Sequence, residues 1–147
     1  MERGYVYFQD FIPENSYDTR ITIIGNRAFG FRRAVRPNDF RASGSGRIFY
    51  EAEAIDEQCI LTAFGVAEKL GSQSMAFDFV QTPEGQQLIV EISYAFSAQA
   101  VFDCTGYWTR DLQWYEGHVW PEHAIIGDLL LTTNGSLPER QPAHLRS

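Results

Sequence analysis

Lysine is nearly missing from this sequence. Lys69 is the only one, and the 12 Lys and Arg residues are outnumbered by 19 Asp and Glu, leaving a formal net charge of -7. A broad nucleic-acid or anionic-membrane surface needs a sustained cationic excess, so neither is an expected partner and any polyanion has to be gripped locally. Cysteine is equally scarce. Cys59 and Cys104 lie far apart without paired spacing, which argues against a disulfide framework and a zinc site and makes a reducing, cytoplasmic setting the expectation. Hydrophobic runs are short: none approaches the roughly 18 residues of a membrane span. The opening Met1-Glu2-Arg3-Gly4-Tyr5 lacks the basic-then-apolar order of a signal peptide.

What is present is enough for one domain with a real core: 147 residues, 44% of them hydrophobic. The cations are mostly arginine and crowd the first third, at Arg20, Arg27, Arg32, Arg33, Arg36, Arg41 and Arg47. Residues 4 to 12 read as a strand running into the polar turn Pro13-Glu14-Asn15-Ser16, so close to the start that the chain is expected to begin inside a larger fold. Residues 19 to 24 and 27 to 35 read as a hairpin turning at Gly25-Asn26, where a two-residue connection calls for positive φ. A Pro-, Asn-, Ser- and Gly-rich loop follows from Arg36 to Gly46, then a short strand at 47 to 51. Asp56 caps a predicted helix to about Leu70, with Ile60, Phe64, Ala67 and Leu70 on one face and Gly71 ending it. A second hairpin spans 74 to 81 and 87 to 93 around Thr82-Pro83-Glu84-Gly85. Pro121 opens a last helix to Thr132, and a mobile tail is expected over 134–147. The fold class predicted is α+β, an antiparallel sheet with packed helices in one domain over 1–133.

The second hairpin carries the most chemistry. Alternation puts Met75, Phe77, Phe79, Leu88, Val90 and Ile92 on one face and Asp78, Glu91 and Ser93 on the other. With the turn centred on Glu84-Gly85, Asp78 and Glu91 are directly opposite, and two such carboxylates repel unless they share a cation or a proton. Oxygen ligands on a rigid hairpin suit Mg²⁺, which keeps several waters and binds phosphate oxygens as well. In the first hairpin Asp18, Arg20 and Arg33 share a face while Arg32 points away, and a strand-borne Arg can grip phosphate or carboxylate with two hydrogen bonds. Solvated surface acids and an ordinary surface Asp-Arg pair stay open as alternatives at this point.

These segments occur together, in order, in a pattern that resembles the ATP-grasp ligases, similar to glutathione synthetase and the ribosomal-protein glutamate ligase. Gln9-Asp10-Phe11-Ile12-Pro13 resembles the hinge strand, Asp18-Thr19-Arg20 the D-x-R strand, Arg32-Arg33 with Asn38-Asp39-Phe40-Arg41-Ala42 the R-R and D-F-R-x-N segments, and Asp78 with Glu91-Ile92-Ser93 the D and E-x-N metal ligands. The resemblance covers roughly residues 4 to 95 and implies the C-terminal subdomain of an ATP-grasp fold. It implies that Gln9, Asp10, Phe11 and Ile12 contact ATP, Arg33 the transferred phosphate, and that Asp78, Glu91 and Ser93 hold Mg²⁺. Asp18 and Arg20 would orient the phosphate or the acceptor. The implied activity is ATP-dependent joining of a carboxylate and an amine through an acyl-phosphate, with small-molecule carboxylate and amine substrates. Two departures weaken the metal set: Ser93 stands for the usual Asn, and Ser43 for the Asn after D-F-R. The lysines and mobile Gly-rich loop that grip the phosphates in such enzymes have no counterpart here, so a missing N-terminal subdomain or a second copy is the expected partner. A nucleotide-binding or structural remnant without ligase activity is the alternative, and an unrelated α+β protein with solvated acids a third.

The aromatic stretch from Gly106 to Gly117, with Arg110, Asp111 and Glu116, reads as a loop packed by its own rings. His118 and His123 have no convincing third ligand for zinc, and His144 sits in the tail.

Overall fold

β-Branched and aromatic residues alternating between two chemistries make strands of both arms of the first hairpin, β1 (Tyr17–Ile24) and β2 (Arg27–Ala34). They are joined at Gly25-Asn26, with Ile24 opposite Arg27. Only Gly25 takes positive φ, at 56°, the arrangement in which glycine occupies the first central position of a two-residue turn. The turn is tied down twice. Gly25 N donates to Gln73 O at 2.8 Å, and Asp128 reaches over it to accept from Arg27 Nη1 at 3.0 Å.

These coordinates are a computed structural model that describes residues 8–36 and 46–134. After β3 (Ile48–Phe49) and a single 3₁₀ turn (Ala52–Ala54) comes helix α1 (Glu57–Lys69). Asp56 accepts from Gln58 N at 2.9 Å as the N-cap, worth about 1 kcal/mol. The C-terminus closes in a Schellman motif, Ser72 N to Ala67 O and Gly71 N to Glu68 O, with Gly71 at φ 62°. The helix buries Cys59, Ile60, Ala63, Phe64 and Ala67 against the sheet. Leu70, expected on that face, is the C-cap residue and 54% exposed, because the helix ends before its side chain reaches the sheet.

The second hairpin is β4 (Ser74–Gln81) and β5 (Gln87–Ser93). Helix α2 (Ala98–Phe102), the short hairpin β6 (Gly106–Trp108) and β7 (Trp114–Glu116), and α3 (Pro121–Asn134) complete the described chain. The Gly106 to Gly117 stretch is therefore a strand pair, cross-linked by Tyr107 on Tyr115 and Trp108 on Trp114. Residues 8–12, the described part of the strand expected over 4–12, carry no regular structure, and neither do 13–15 of the expected turn. They are held instead by Asn15, whose side-chain amide donates to Gln81 O at 3.0 Å and accepts from Gln81 N at 2.8 Å. The expected strand start at 4–7, the Arg41 segment with Ser43, and the tail beyond 134 lie outside the described residues.

All described pairings are antiparallel, in the order β5-β4-β1-β2-β6-β7 with β3 beside the far end of β2. The fold is thus α+β. On one face of the sheet Ile21, Ile23, Met75, Phe77 and Phe79 pack beneath α1. The other face is divided. Ile24, Phe29 and Phe31 lie with α2 and α3 residues Ala100, Val101 and Ala124 at one end, and charged residues hold the other.

One expected pattern fails. In β5 it is Ile89, opposite Phe79, that reaches the α1 core, whereas Leu88 pairs with Val80 on the other face. The reason is a bulge at Val90, opposite the step between Asp78 and Phe79, which breaks the Leu88-Val90-Ile92 alternation.

Gly25→Ala should destabilise the chain by at least about 1–2 kcal/mol, the cost of a left-handed non-glycine residue. The added methyl would also lie 2.1 Å from Asp128 Oδ2. Urea denaturation monitored by circular dichroism checks this, and an unchanged midpoint would remove the turn from the account.

A candidate site of crossed ion pairs

Alternation places Asp18 and Arg20 of β1, Arg33 of β2, Asp78 of β4 and Glu91 of β5 on one face, and the ladders bring them side by side. Asp18 is opposite Arg33, Arg20 opposite Asp78, and Asp78 opposite Glu91. Arg32 leaves on the other face, its guanidinium 5.0 Å from the centre of the Tyr17 ring.

The side chains form a continuous chain of charge-assisted bonds. Arg20 donates from Nε to Asp78 Oδ1 at 2.6 Å and from Nη2 to Oδ2 at 2.7 Å. Arg33 grips Asp18 with Nε, at 2.8 Å to Oδ1, and with Nη2 to Oδ2. The same Nη2 also donates to Asp78 Oδ2 at 2.7 Å. Two arginines therefore meet on Asp78, a carboxylate only 3% exposed. The sequence pattern pairs Asp78 with Glu91 and leaves the arginines to Asp18. The missing information was strand order: β4 lies between β5 and β1, so Asp78 has an arginine on one side and a carboxylate on the other.

Burial sets the protonation behaviour. It raises the Asp18 pKa above its ordinary 3.8, and the hydrogen bond and charge of Arg33 offset this only in part. For Arg33 burial works against the charged form, but bonding to Asp18 and the charge of Asp78 outweigh it and raise the pKa further. The two directions belong together, since the guanidinium keeps its proton throughout and the desolvation of the pair falls on the carboxylate.

Among the described residues Asp78 accepts three of about four possible hydrogen bonds, which leaves one direction at Oδ1. Glu91, opposite it, is exposed and has no ion pair among the described residues. Mg²⁺ takes oxygen ligands such as carboxylates and water, and Asp78 and Glu91, neighbours in register, are the acids this level of the face would offer it. Among the described residues no group of three or more acidic, His or Cys side chains could hold a metal by itself. Ser93 is on the same face, opposite Ala76, but its hydroxyl is spent locally, donating to Ala95 O at 2.9 Å and accepting from Ala95 N at 3.1 Å. Gln9 donates to Val90 O at 3.4 Å, which sets the 9–12 segment beside the bulge next to Glu91. In that segment Asp10 and Phe11 are exposed and Ile12 is half-buried. Sequence reasoning missed Asn15, which anchors this segment; an Asn two residues before a strand was the available signal.

Asp78→Ala should cost about 3–5 kcal/mol in urea denaturation, because a buried guanidinium, Arg33, and a half-buried one, Arg20, lose their shared partner. Glu91→Gln should change stability by no more than about 0.5 kcal/mol. Equal effects would mean that Asp78 is not the centre of the cluster. For Asp18, a carboxyl titration followed by ¹³C NMR should have its midpoint above 3.8. With the folded pKa raised, its contribution to stability is full below the unfolded value and is lost as pH rises through the folded one. A midpoint below 3.8 would show that Arg33, not burial, dominates. No family model and no curated protein matches the chain, so a functional reading has to rest on the chemistry of this cluster.

Proposed function

We propose that the charged half of this sheet face is the Mg-ATP-binding wall of an ATP-dependent carboxylate-amine ligase that works through an acyl-phosphate. The observation that carries the reading is Asp78, bonded by Arg20 of the adjoining β1 and by Arg33 one strand further on, with Glu91 opposite it on β5; this supports a wall that offers one ligand both guanidinium and carboxylate groups. Phosphoryl transfer is catalysed mainly by positioning and by neutralising charge. Mg²⁺, when bound, would supply the neutralisation of the bridging phosphate oxygens.

Arg33 would contact the transferred phosphate. Its fork is held in plane by Asp18, so a ligand oxygen finds it oriented. Arg20 would orient the phosphate or the acceptor, and Asp78 and Glu91 would hold the metal, with Ser93 a weaker contributor because its hydroxyl must leave Ala95. Gln9 to Ile12 would contact adenine through backbone groups. Phosphate-binding lysines must come from elsewhere, since Lys69 ends α1 on the opposite face, and a further subdomain or a second copy would supply them.

A second reading has an observation in its favour. The network is balanced as it stands, with two arginines satisfied by two carboxylates, as a structural remnant without ligase activity would be.

Calorimetric titration of Mg-ATP separates the two. The ligase reading expects weak binding by this chain, in the millimolar range or about -4 kcal/mol, abolished by EDTA and weakened by Glu91→Gln, with no ADP release. A lysine-bearing subdomain joined to the chain should restore turnover with candidate amino acids. Asp78→Asn should then lower kcat more than it weakens ATP binding. Binding indifferent to EDTA and to Glu91→Gln would sink the ligase reading.

A further inference from the structure

A concave site lies on the β2 side of the sheet, away from the Asp78–Glu91 pair. Strands β3 and β6 both pair with β2, but at opposite ends, Arg32–Arg33 for β3 and Ala28 for β6. Between them the sheet edge has a notch of about 660 Å³, within the range of small-molecule sites. Its walls combine Phe49, Tyr50 and Trp114 with the exposed Glu51, Glu53 and Glu116, and among the described residues its lining includes no Lys, Arg or His.

The aromatic wall is set in advance. Trp114 packs on Trp108 with ring centroids 4.5 Å apart, and its indole crosses the β6 backbone so closely that a Cβ on Gly106 would lie 2.4 Å from it. It is nevertheless 38% exposed, leaving an indole surface toward solvent. The side chains of Glu51, Glu53 and Glu116 are exposed and make no hydrogen bond or ion pair among the described residues, and they are not grouped so as to hold one metal ion. Carboxylates spread around an aromatic hollow suit a cation that is itself spread out.

We propose that this notch binds a linear polyamine, an alkyl chain carrying two or more ammonium groups, with the stem against Trp114 and the ammonium groups at Glu51, Glu53 and Glu116. The proposal is independent of the nucleotide reading, because none of the residues lining the notch takes part in the Arg20-Asp78-Arg33-Asp18 network.

The test is titration of the ¹⁵N-labelled chain with spermidine at constant ionic strength, followed by NMR, with 1,4-butanediol and MgCl₂ as controls. Saturable shifts are expected at the Trp114 indole N–H and at amides of 48–53 and 114–116, and not with the diol. Glu116→Gln and Glu51→Gln should each weaken binding by up to about fivefold, while Glu84→Gln, the same charge change on the β4–β5 turn at the opposite edge, stays within about twofold. Shifts that do not saturate, equal weakening by Glu84→Gln, or the same shifts with MgCl₂ would each overturn the polyamine site.

Discussion

Asp78 is the point on which the charged half of the sheet depends. One buried carboxylate takes hydrogen bonds from an arginine on each of two strands, so β4, β1 and β2 are tied across two successive same-face rungs of the ladder. Burying such charges is not a route to stability, since the desolvation cost can match or exceed the Coulombic gain. What the arrangement provides is specificity. A slip of one residue in β1 would turn Arg20 toward the α1 core and leave Asp78 facing a hydrocarbon side chain.

The same constraint explains why one face of the sheet is divided between two chemistries. Where Ile24, Phe29 and Phe31 lie, helices α2 and α3 can cover the strands by apolar packing. Where Asp18, Arg20, Arg33 and Asp78 lie, a close-packed hydrocarbon cover would strip water from the charges without offering hydrogen bonds in return. A charged half of a sheet face on rigid strands is a suitable wall for an ionic ligand, since strands hold side chains more tightly than loops do.

Much of this was legible in the sequence because it depends on parity. Both hairpins, the Gly25 turn, the Asp56 cap and the separation of Arg32 from Arg33 follow from alternation and turn chemistry confined to neighbouring residues. Strand order does not. Nothing between residues 34 and 74 specifies that β4 returns beside β1 rather than β2, so the Arg20 to Asp78 contact, 58 residues apart, could not be read. The bulge at Val90 was equally hidden, because the Leu88-Val90-Ile92 pattern is apolar whichever residue is the extra one. The 9–12 segment looked like a strand by composition, yet its anchor is a side-chain amide mimicking a neighbouring strand.

That bulge separates two lengths that a regular hairpin would couple. Gln81 opposite Gln87 fixes a five-residue connection, and on its own this register would set Asp78 against Val90 and turn Glu91 to the α1 face. Val90 absorbs the difference, so Glu91 returns to the Asp78 face whatever the outer rungs require. The loop and the acidic pair can therefore accumulate changes as separate modules. Insertions or deletions in residues 82–86 need not propagate to the carboxylates, since the parity of the inner rungs is reset within the strand itself.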